Sequence, residues 1–212
     1  PNIMKQVTTI LAILVGFTMN GQWSYNSNWT GVQASTCTAS GDYSTAMGDG
    51  TTASGDYSTS MGRSTAASAL YSTAMGRSTA ASALYSTAMG YGTDASGYFS
   101  TAMGSSTTAS ALYSTAMGDG TIASGSRSTA MGSYTTASDY ASLSIGRYNS
   151  VNSTVTAGGS ATSFDTDNAA FVIGNGTGSS TKSDAFVVYF NGNATLSGDL
   201  TINSDERLKD NI

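Results

Sequence analysis

The chain is poor in several residue types that most enzymes and nucleic-acid-binding proteins use. Its 212 residues include no histidine, one proline, one cysteine, and eight lysine and arginine residues against thirteen aspartate and glutamate residues. Without histidine, the chain lacks the commonest metal ligand and the commonest general base. Its formal charge of −5 is a poor electrostatic match for nucleic acid or an anionic membrane. We therefore expect no nucleic-acid partner, no cofactor and no bound metal.

Large aliphatic side chains are sparse between Trp23 and Asn168, where Ser, Thr, Gly and Ala predominate. Such a composition suits either a disordered linker or an ordered structure whose interior is too thin for large side chains. Disorder usually goes with high charge or with repetition that has no fixed register. Here charged residues are only 10%, and tyrosine and methionine recur at fixed positions. The composition favours a thin, ordered solenoid, and the single Cys37 cannot form an internal disulfide.

The first 22 residues have the pattern of a secretory signal peptide. Met4 and Lys5 supply a start and a positive charge, and the apolar run VTTILAILVGF follows. This run is shorter than the roughly 20 apolar residues of a transmembrane helix. A short buried helix or strand is the alternative. We predict a signal peptide over residues 1–22, with residues 1–3 preceding its start. The protein would then be secreted and work at the cell surface, without a membrane span.

A fourteen-residue repeat fills residues 39–150 without a gap. Its eight copies follow the pattern ASALYSTAMGRSTA, and the segment STAMG recurs at one fixed interval, altered in two copies. Fixed self-similarity of this kind indicates a repeat architecture. A heptad coiled coil is excluded because each half-repeat carries glycine and threonine, and collagen because glycine does not recur every third residue. The two similar halves of each unit predict a coil with two short strands and two turns.

In a parallel β-roll, equivalent residues of successive coils stack into ladders. Stacked about 4.8 Å apart, eight coils make a rod roughly 38 Å long. Because side chains alternate across a strand, Ala46 and Met47 face opposite ways. With so few residues in a coil, we expect small residues inside, namely the alanine, serine and glycine columns that begin at Ala39, Ser40 and Gly48. The methionine ladder then lies outside.

A continuous apolar stripe on the outside of a protein usually marks an interface. We therefore predict a subunit interface along the methionine ladder, and an inward-facing ladder that forms an ordinary core is the alternative. An aromatic column also runs from Tyr43 to Tyr113 and breaks at Arg127. The predicted interface residues are Met47, Met61, Met75, Met89, Met103, Met117, Met131 and Ile145.

The repeats resemble the heads of YadA-like trimeric autotransporter adhesins, whose fourteen-residue unit carries an NSVAIG-type strand. STAMG is similar to that strand, and the last copy, SLSIG from Ser142 to Gly146, is closer still. The resemblance implies an all-β, left-handed parallel β-roll and a homotrimer whose contact lies at the apolar positions around the alanine. It also implies adhesion to an unknown extracellular or host-surface ligand through variable columns, here from Asp42 to Tyr140 and from Asp49 to Arg147.

The C-terminal part resembles a second family. Residues 151–203 are β-rich and punctuated by turns, which predicts a neck or stalk. The following segment SDERLKDNI is similar to the opening of the self-cleaving intramolecular chaperone domain of phage tail spikes and many surface fibres. That resemblance implies a Ser–Lys dyad with Ser204 as nucleophile and Lys209 as general base, inactive in this fragment. A charged helix start with Ser204 as N-cap is the alternative.

The sequence thus predicts a secreted, trimeric, fibrous surface protein that acts in adhesion, with no catalysis in its head. A phage or phage-like tail fibre is one alternative, for which a signal peptide would have no use. An ice-binding solenoid is another, because flat threonine ladders can order water. However, the Thr45 ladder shares its face with methionine, and variable residues flank the Thr51 ladder. The predicted parts are a signal peptide (1–22), a cap or linker (23–38), the head (39–150), a neck or stalk (151–203) and the start of the chaperone domain (204–212).

Overall fold

The computed structural model of the chain describes residues 23–25, 31–34 and 36–199. Within these ranges the regular structure consists of β-strands alone, so the predicted all-β class is confirmed. No helix of the described ranges is long and apolar enough to cross a membrane. The predicted signal peptide and the proposed dyad of Ser204 and Lys209 lie outside the described residues and stay predictions.

Each fourteen-residue repeat forms one coil of a β-solenoid, with one five-residue strand and one two-residue strand. The coil with two strands and two turns is therefore confirmed. The long strands are Thr45–Asp49, Thr59–Arg63, Thr73–Arg77, Thr87–Tyr91, Thr101–Ser105, Thr115–Asp119, Thr129–Ser133 and Leu143–Arg147. The short strands are Thr38–Ala39, Thr52–Ala53, Ala66–Ala67, Ala80–Ala81, Asp94–Ala95, Thr108–Ala109, Ile122–Ala123 and Thr136–Ala137.

The long strands form one parallel sheet and the short strands a second parallel sheet. The register joins residues fourteen apart, so that Met75 pairs with Met89 and Ala74 with Ala88. Each column of the aligned repeats is therefore a physical ladder along the solenoid, and a side chain's neighbours in the ladder are its own counterparts in the adjacent coils.

Further strands extend the sheet of long strands at both ends. At the N-terminal end, Val32–Ala34 pairs in parallel with the first long strand, and Trp23–Tyr25 pairs antiparallel with Val32–Ala34. At the C-terminal end, Ala169–Asn175 pairs in parallel with the last long strand, and Asp184–Tyr189 and Ala194–Leu196 follow in antiparallel order. The predicted neck or stalk over residues 151–203 stays a prediction.

Small side chains fill the interior of the solenoid. One alanine column on the long strands and one on the short strands are buried, and their members from Ala67 to Ala137 form one continuous core. Two polar columns share this interior, the serines from Ser44 to Ser142 and the threonines from Thr51 to Thr135, all at most 2% exposed. Burying alanine, serine and threonine lets the two sheets of a fourteen-residue coil lie close together, as the composition predicted.

Three expectations about individual columns are wrong. The serine column that begins at Ser40 is exposed as far as Ser110, the glycine column that begins at Gly48 is exposed, and the threonine column that begins at Thr51 is buried rather than at the surface. Ser40 follows the buried Ala39, so alternation along the strand places it outside. Gly48 and Gly50 have positive φ angles of 126° and 60°. These conformations interrupt the alternation at the end of the long strand, so that Gly48 is exposed and Thr51 is buried.

The glycine column is required by the close stacking of coils. A Cβ added to Gly48 would lie 1.9 Å from the carbonyl oxygen of Gly62 in the next coil, and the same approach recurs along the ladder. A φ near +120° is also a conformation that only glycine adopts readily. The glycine of STAMG therefore permits contact between backbones, without itself being buried.

The buried hydroxyl groups differ from coil to coil. Ser60, which replaces alanine in the one copy reading STSMG, has its Oγ 2.6 Å from Oγ1 of Thr65. In five other coils the residue five positions before the threonine is alanine, and the threonine Oγ1 has no hydrogen-bond partner in the described part of the chain. Those threonines are Thr51, Thr79, Thr93, Thr107 and Thr121.

Candidate subunit interface and exposed ladders

The methionine ladder lies on the face of the long strands opposite the buried alanines. Ala46 is fully buried, whereas Met47 beside it is half-buried, and this alternation recurs in the following coils. Six of the seven methionines are half-buried and Met131 is 37% exposed. Threonines of the column that begins at Thr45 share the face and are also half-buried. This face therefore presents a stripe of methionine and threonine that lies outside the interior of the solenoid.

The last residue of each long strand forms a polar rim beside this stripe. The column runs from Asp49 to Arg147 and is mostly exposed. Arg63 Nε lies 3.6 Å from Asp49 Oδ2, and the Arg77 guanidinium lies 5.5 Å from the ring centroid of Tyr91. An ion pair as exposed as this one contributes little to stability. An apolar centre with a polar rim is nevertheless the usual arrangement of a protein–protein contact.

An aromatic ladder occupies the turn that precedes each long strand. Neighbouring rings are stacked with centroids 4.8–5.0 Å apart. Every member has a φ of 55–57°, a backbone conformation that is unusual for residues other than glycine and asparagine. Each stacked pair contributes about 0.5–1.5 kcal/mol, which offsets the cost of that backbone. The members are Tyr43, Tyr57, Tyr71, Tyr85, Phe99 and Tyr113, all 42–63% exposed.

Arg127 follows the last ring of the aromatic ladder, at the position where the sequence has no aromatic residue. Its guanidinium lies 5.6 Å from the ring centroid of Tyr113 and 5.3 Å from that of Tyr140, and Nη1 donates a hydrogen bond to the Tyr140 hydroxyl at 2.9 Å. A cation over an aromatic face is attracted by the ring quadrupole. The ladder therefore ends on a positive charge held between two rings.

Side-chain amides take the place of the missing next coil at the C-terminal end. In earlier coils, the backbone N–H at the start of each short strand donates to a carbonyl thirteen residues on, as Ile122 does to Thr135. The last such N–H, that of Thr136, donates instead to Oδ1 of Asn149, while Asn149 Nδ2 donates to the Thr136 carbonyl. Asn152 Oδ1 similarly accepts from Ser138 N at 2.7 Å.

The repeat pattern did not predict these capping residues, although the sequence contains a signal for where the repeat ends. Residues 39–148 contain no asparagine, so its appearance at Asn149 and Asn152 marks the point where the repeat ends. A comparable contact closes the N-terminal end, where Ala39 N donates to Gln33 Oε1 at 2.9 Å. Both ends of the sheet of short strands are thus covered by polar groups, which protects its edges from pairing with other chains.

A fully buried carboxylate fastens the C-terminal segment to the last coil. Asp139 is 0% exposed and stands where most coils have glycine or alanine. Its Oδ2 accepts from the Thr156 hydroxyl and from Ala169 N, and its Oδ1 accepts from Thr156 N. Asp184 accepts in the same way from Ser150 N and Val151 N. Multiple backbone donors satisfy these carboxylates without a basic partner.

No group of histidine, cysteine, aspartate and glutamate in the described ranges is arranged to hold a metal ion. Cys37 occupies the place of the buried threonine one coil before Thr51, and its Sγ donates to the Gly48 carbonyl at 3.3 Å. Burial of the Thr51 column also removes one of the two threonine ladders considered for ice binding. The other, from Thr45, alternates with methionine.

One family model matches the repeats. The model of the YadA head domain repeat, which describes two copies at a time, matches residues 39–65, 67–93, 95–121 and 123–149. The matched segments cover just over half of the 212 residues. A comparison of the chain with curated proteins gave no match.

Proposed function

The chain belongs to the family defined by the YadA head repeat, and from this premise we propose that it forms part of a trimeric, fibrous surface protein that acts in attachment. In this proposal three copies pack side by side through their methionine ladders, with the solenoids parallel to a common axis. The protein is carried to the outside of the cell by the segment 1–22 and works there as an adhesin with no catalytic activity.

The observation that carries the proposal is the apolar stripe opposite a core of alanine. Because alanine, serine and threonine already fill the interior, the methionines lie outside it, most of them half-buried beside their counterparts in the adjacent coils. Seven methionines in register, followed by Ile145, make a continuous apolar surface along the solenoid. Covering such a surface stabilises an assembly by about 25 cal/mol for each Å² removed from water.

The attachment surface is assigned to the two variable columns. The column from Asp42 to Tyr140 adjoins the aromatic ladder, and the column from Asp49 to Arg147 forms the polar rim of the stripe. Most members of both columns are exposed, and their side-chain types change from coil to coil while the buried columns stay constant. Variable side chains on a rigid scaffold are suited to binding a partner.

The trimer is tested by sedimentation equilibrium of the full chain, with three times the chain mass as the expected result. Met89→Lys places three like charges on the contact and is expected to shift the protein to monomer. Ser96→Lys is the matched control, because Ser96 is exposed directly after the short strand that follows the Met89 strand, and it is expected to leave the trimer intact. A stable wild-type monomer would refute the proposal.

Attachment and export are tested separately. Cells of a non-adherent bacterium that display the chain should be retained on protein-coated surfaces under flow. Replacing Tyr98 and Leu112 by serine in the first variable column should reduce retention without changing the sedimentation mass.

Fusion of residues 1–22 to a phosphatase that is active only after export tests secretion. An inactive fusion would favour the alternative of a phage-like fibre assembled in the cytoplasm.

A further inference from the structure

The sheet of long strands continues beyond the repeats without losing its register. The strand Ala169–Asn175 pairs in parallel with Leu143–Arg147, and Ile173 stands opposite Ile145 while Phe171 stands opposite Leu143. The pairing skips 28 residues, which is twice the repeat length. The methionine column therefore continues into Ile173, and the threonine column beside it continues into Phe171.

Two more strands extend the same face of this sheet. Phe186 lies opposite Ile173 and Val188 lies opposite Phe171 in the antiparallel strand Asp184–Tyr189. Leu196 in turn lies opposite Phe186. Residues that oppose each other in a sheet project from the same face. We call these five residues, Phe171, Ile173, Phe186, Val188 and Leu196, the C-terminal apolar face.

The other side of these strands already has its own core. Val172 and Val187 are at most 2% exposed and cluster with Ala169, with Val151 and Tyr189 packed against them. The C-terminal apolar face looks away from that cluster. Leu196 is 45% exposed, and Phe171, Ile173, Phe186 and Val188 are half-buried. The rings of Phe171 and Phe186 meet edge to face with centroids 6.4 Å apart.

This face has the composition of the centre of a protein–protein contact. It contains two phenylalanines and three aliphatic side chains and no charged residue. Aromatic side chains bury roughly 150–250 Å² each and are enriched where contacts contribute most to binding. The methionine stripe presents thinner side chains alternating with threonine. The C-terminal apolar face therefore contains large aromatic side chains that the stripe lacks.

We propose that the C-terminal apolar face packs against the same face of two further copies of this chain and is the strongest part of the subunit contact. This inference rests on the proposed trimer. In an assembly with a rotation axis parallel to the solenoid, a ladder that faces the axis meets its own counterparts at every height. Because the C-terminal apolar face continues those ladders in register, it meets its own copies as well.

Single-cysteine cross-linking of the full chain tests this contact. Cys37→Ser removes the only native thiol, and Ile173→Cys, Met89→Cys and Ser96→Cys are then made one at a time. A short bifunctional maleimide should join two chains through position 173 and through position 89. The control position 96, which is exposed on the other sheet, should stay uncross-linked.

The results separate the two proposals. Cross-linking at position 89 but not at 173 would overturn this inference and leave the proposed head trimer standing. Cross-linking at neither position, with a wild-type monomer in sedimentation, would overturn both. Phe186→Ser gives a second measurement, since it should raise the subunit dissociation constant at least about tenfold more than Met89→Ser does. Equal effects of the two substitutions would show that the C-terminal apolar face is not the stronger contact.

Discussion

The same substitution in two coils of this solenoid should change stability in opposite directions. Thr65 and Thr93 occupy equivalent buried positions, each 1% exposed. Thr65 Oγ1 is hydrogen-bonded to Ser60 Oγ at 2.6 Å, whereas Thr93 Oγ1 has no partner in the described chain, because alanine stands at position 88. Replacing either threonine by valine keeps the shape of the side chain and removes only the hydroxyl.

The expected size follows from the burial of these groups. Thr65→Val removes a hydrogen bond and leaves Ser60, which is 0% exposed, without a partner. Stranding a buried hydroxyl in this way lowers the free energy of unfolding by about 1–3 kcal/mol. Thr93→Val removes a buried hydroxyl that is already unpaired, which should raise that free energy by about 1 kcal/mol or more. The two variants should therefore differ by at least about 2 kcal/mol.

Denaturant unfolding of the full chain at one fixed protein concentration measures the difference, because association makes apparent stability depend on concentration. The double variant Ser60→Ala/Thr65→Val should recover most of the loss, since removing both partners leaves no stranded group. Equal changes for Thr65→Val and Thr93→Val, or no recovery in the double variant, would refute the assigned hydrogen bond.

Three further substitutions test the stacking, the cap and the aromatic ladder. Gly90→Ala should abolish folding, because the added Cβ would lie 2.0 Å from a carbonyl of the next coil, whereas Gly92→Ala, with no atom nearer than 3.8 Å, should cost about 1–2 kcal/mol. Similar melting temperatures for the two would contradict this. Asn149→Ala should strand the backbone groups of Thr136, cost at least about 2 kcal/mol and speed hydrogen exchange in the last coil; unchanged exchange would argue against the cap. Tyr71→Ala should remove two stacked pairs, lower stability by about 1–3 kcal/mol and weaken the near-ultraviolet circular dichroism; wild-type stability would count against the ladder.

The strict repeat made much of this fold predictable. A fixed period assigns every residue to a column, and strand alternation then separates Ala46 from Met47, because both lie within one extended strand. The prediction was wrong for Ser40, which alternation itself places opposite the buried Ala39. It was also wrong for Gly48 and Thr51, because the positive φ angles of Gly48 and Gly50 interrupt the alternation. Periodicity shows which residues stack on one another, but the turns decide which columns face the interior.

Periodicity could not predict the residues that close the solenoid. Asp184 binds the backbone of Ser150 and Val151, more than thirty positions earlier in the chain, and Asp139 reaches Ala169. Such contacts depend on where the chain folds back, which no repeating pattern encodes. For the same reason, the repeating pattern did not predict the C-terminal apolar face. Its strand rejoins the sheet only after 28 residues, and the intervening sequence has no copy of the repeat.

The caps also have a consequence for how long such a protein can be. Gln33 closes one end of the sheet of short strands and Asn149 the other, by binding Ala39 in the first short strand and Thr136 in the last. Every internal coil presents the same backbone groups above and below, so a coil can be gained or lost without altering either end. Unequal crossing-over between near-identical gene segments would change the length of the solenoid in steps of about 4.8 Å. Selection can thus adjust the length of the solenoid while both of its ends stay the same.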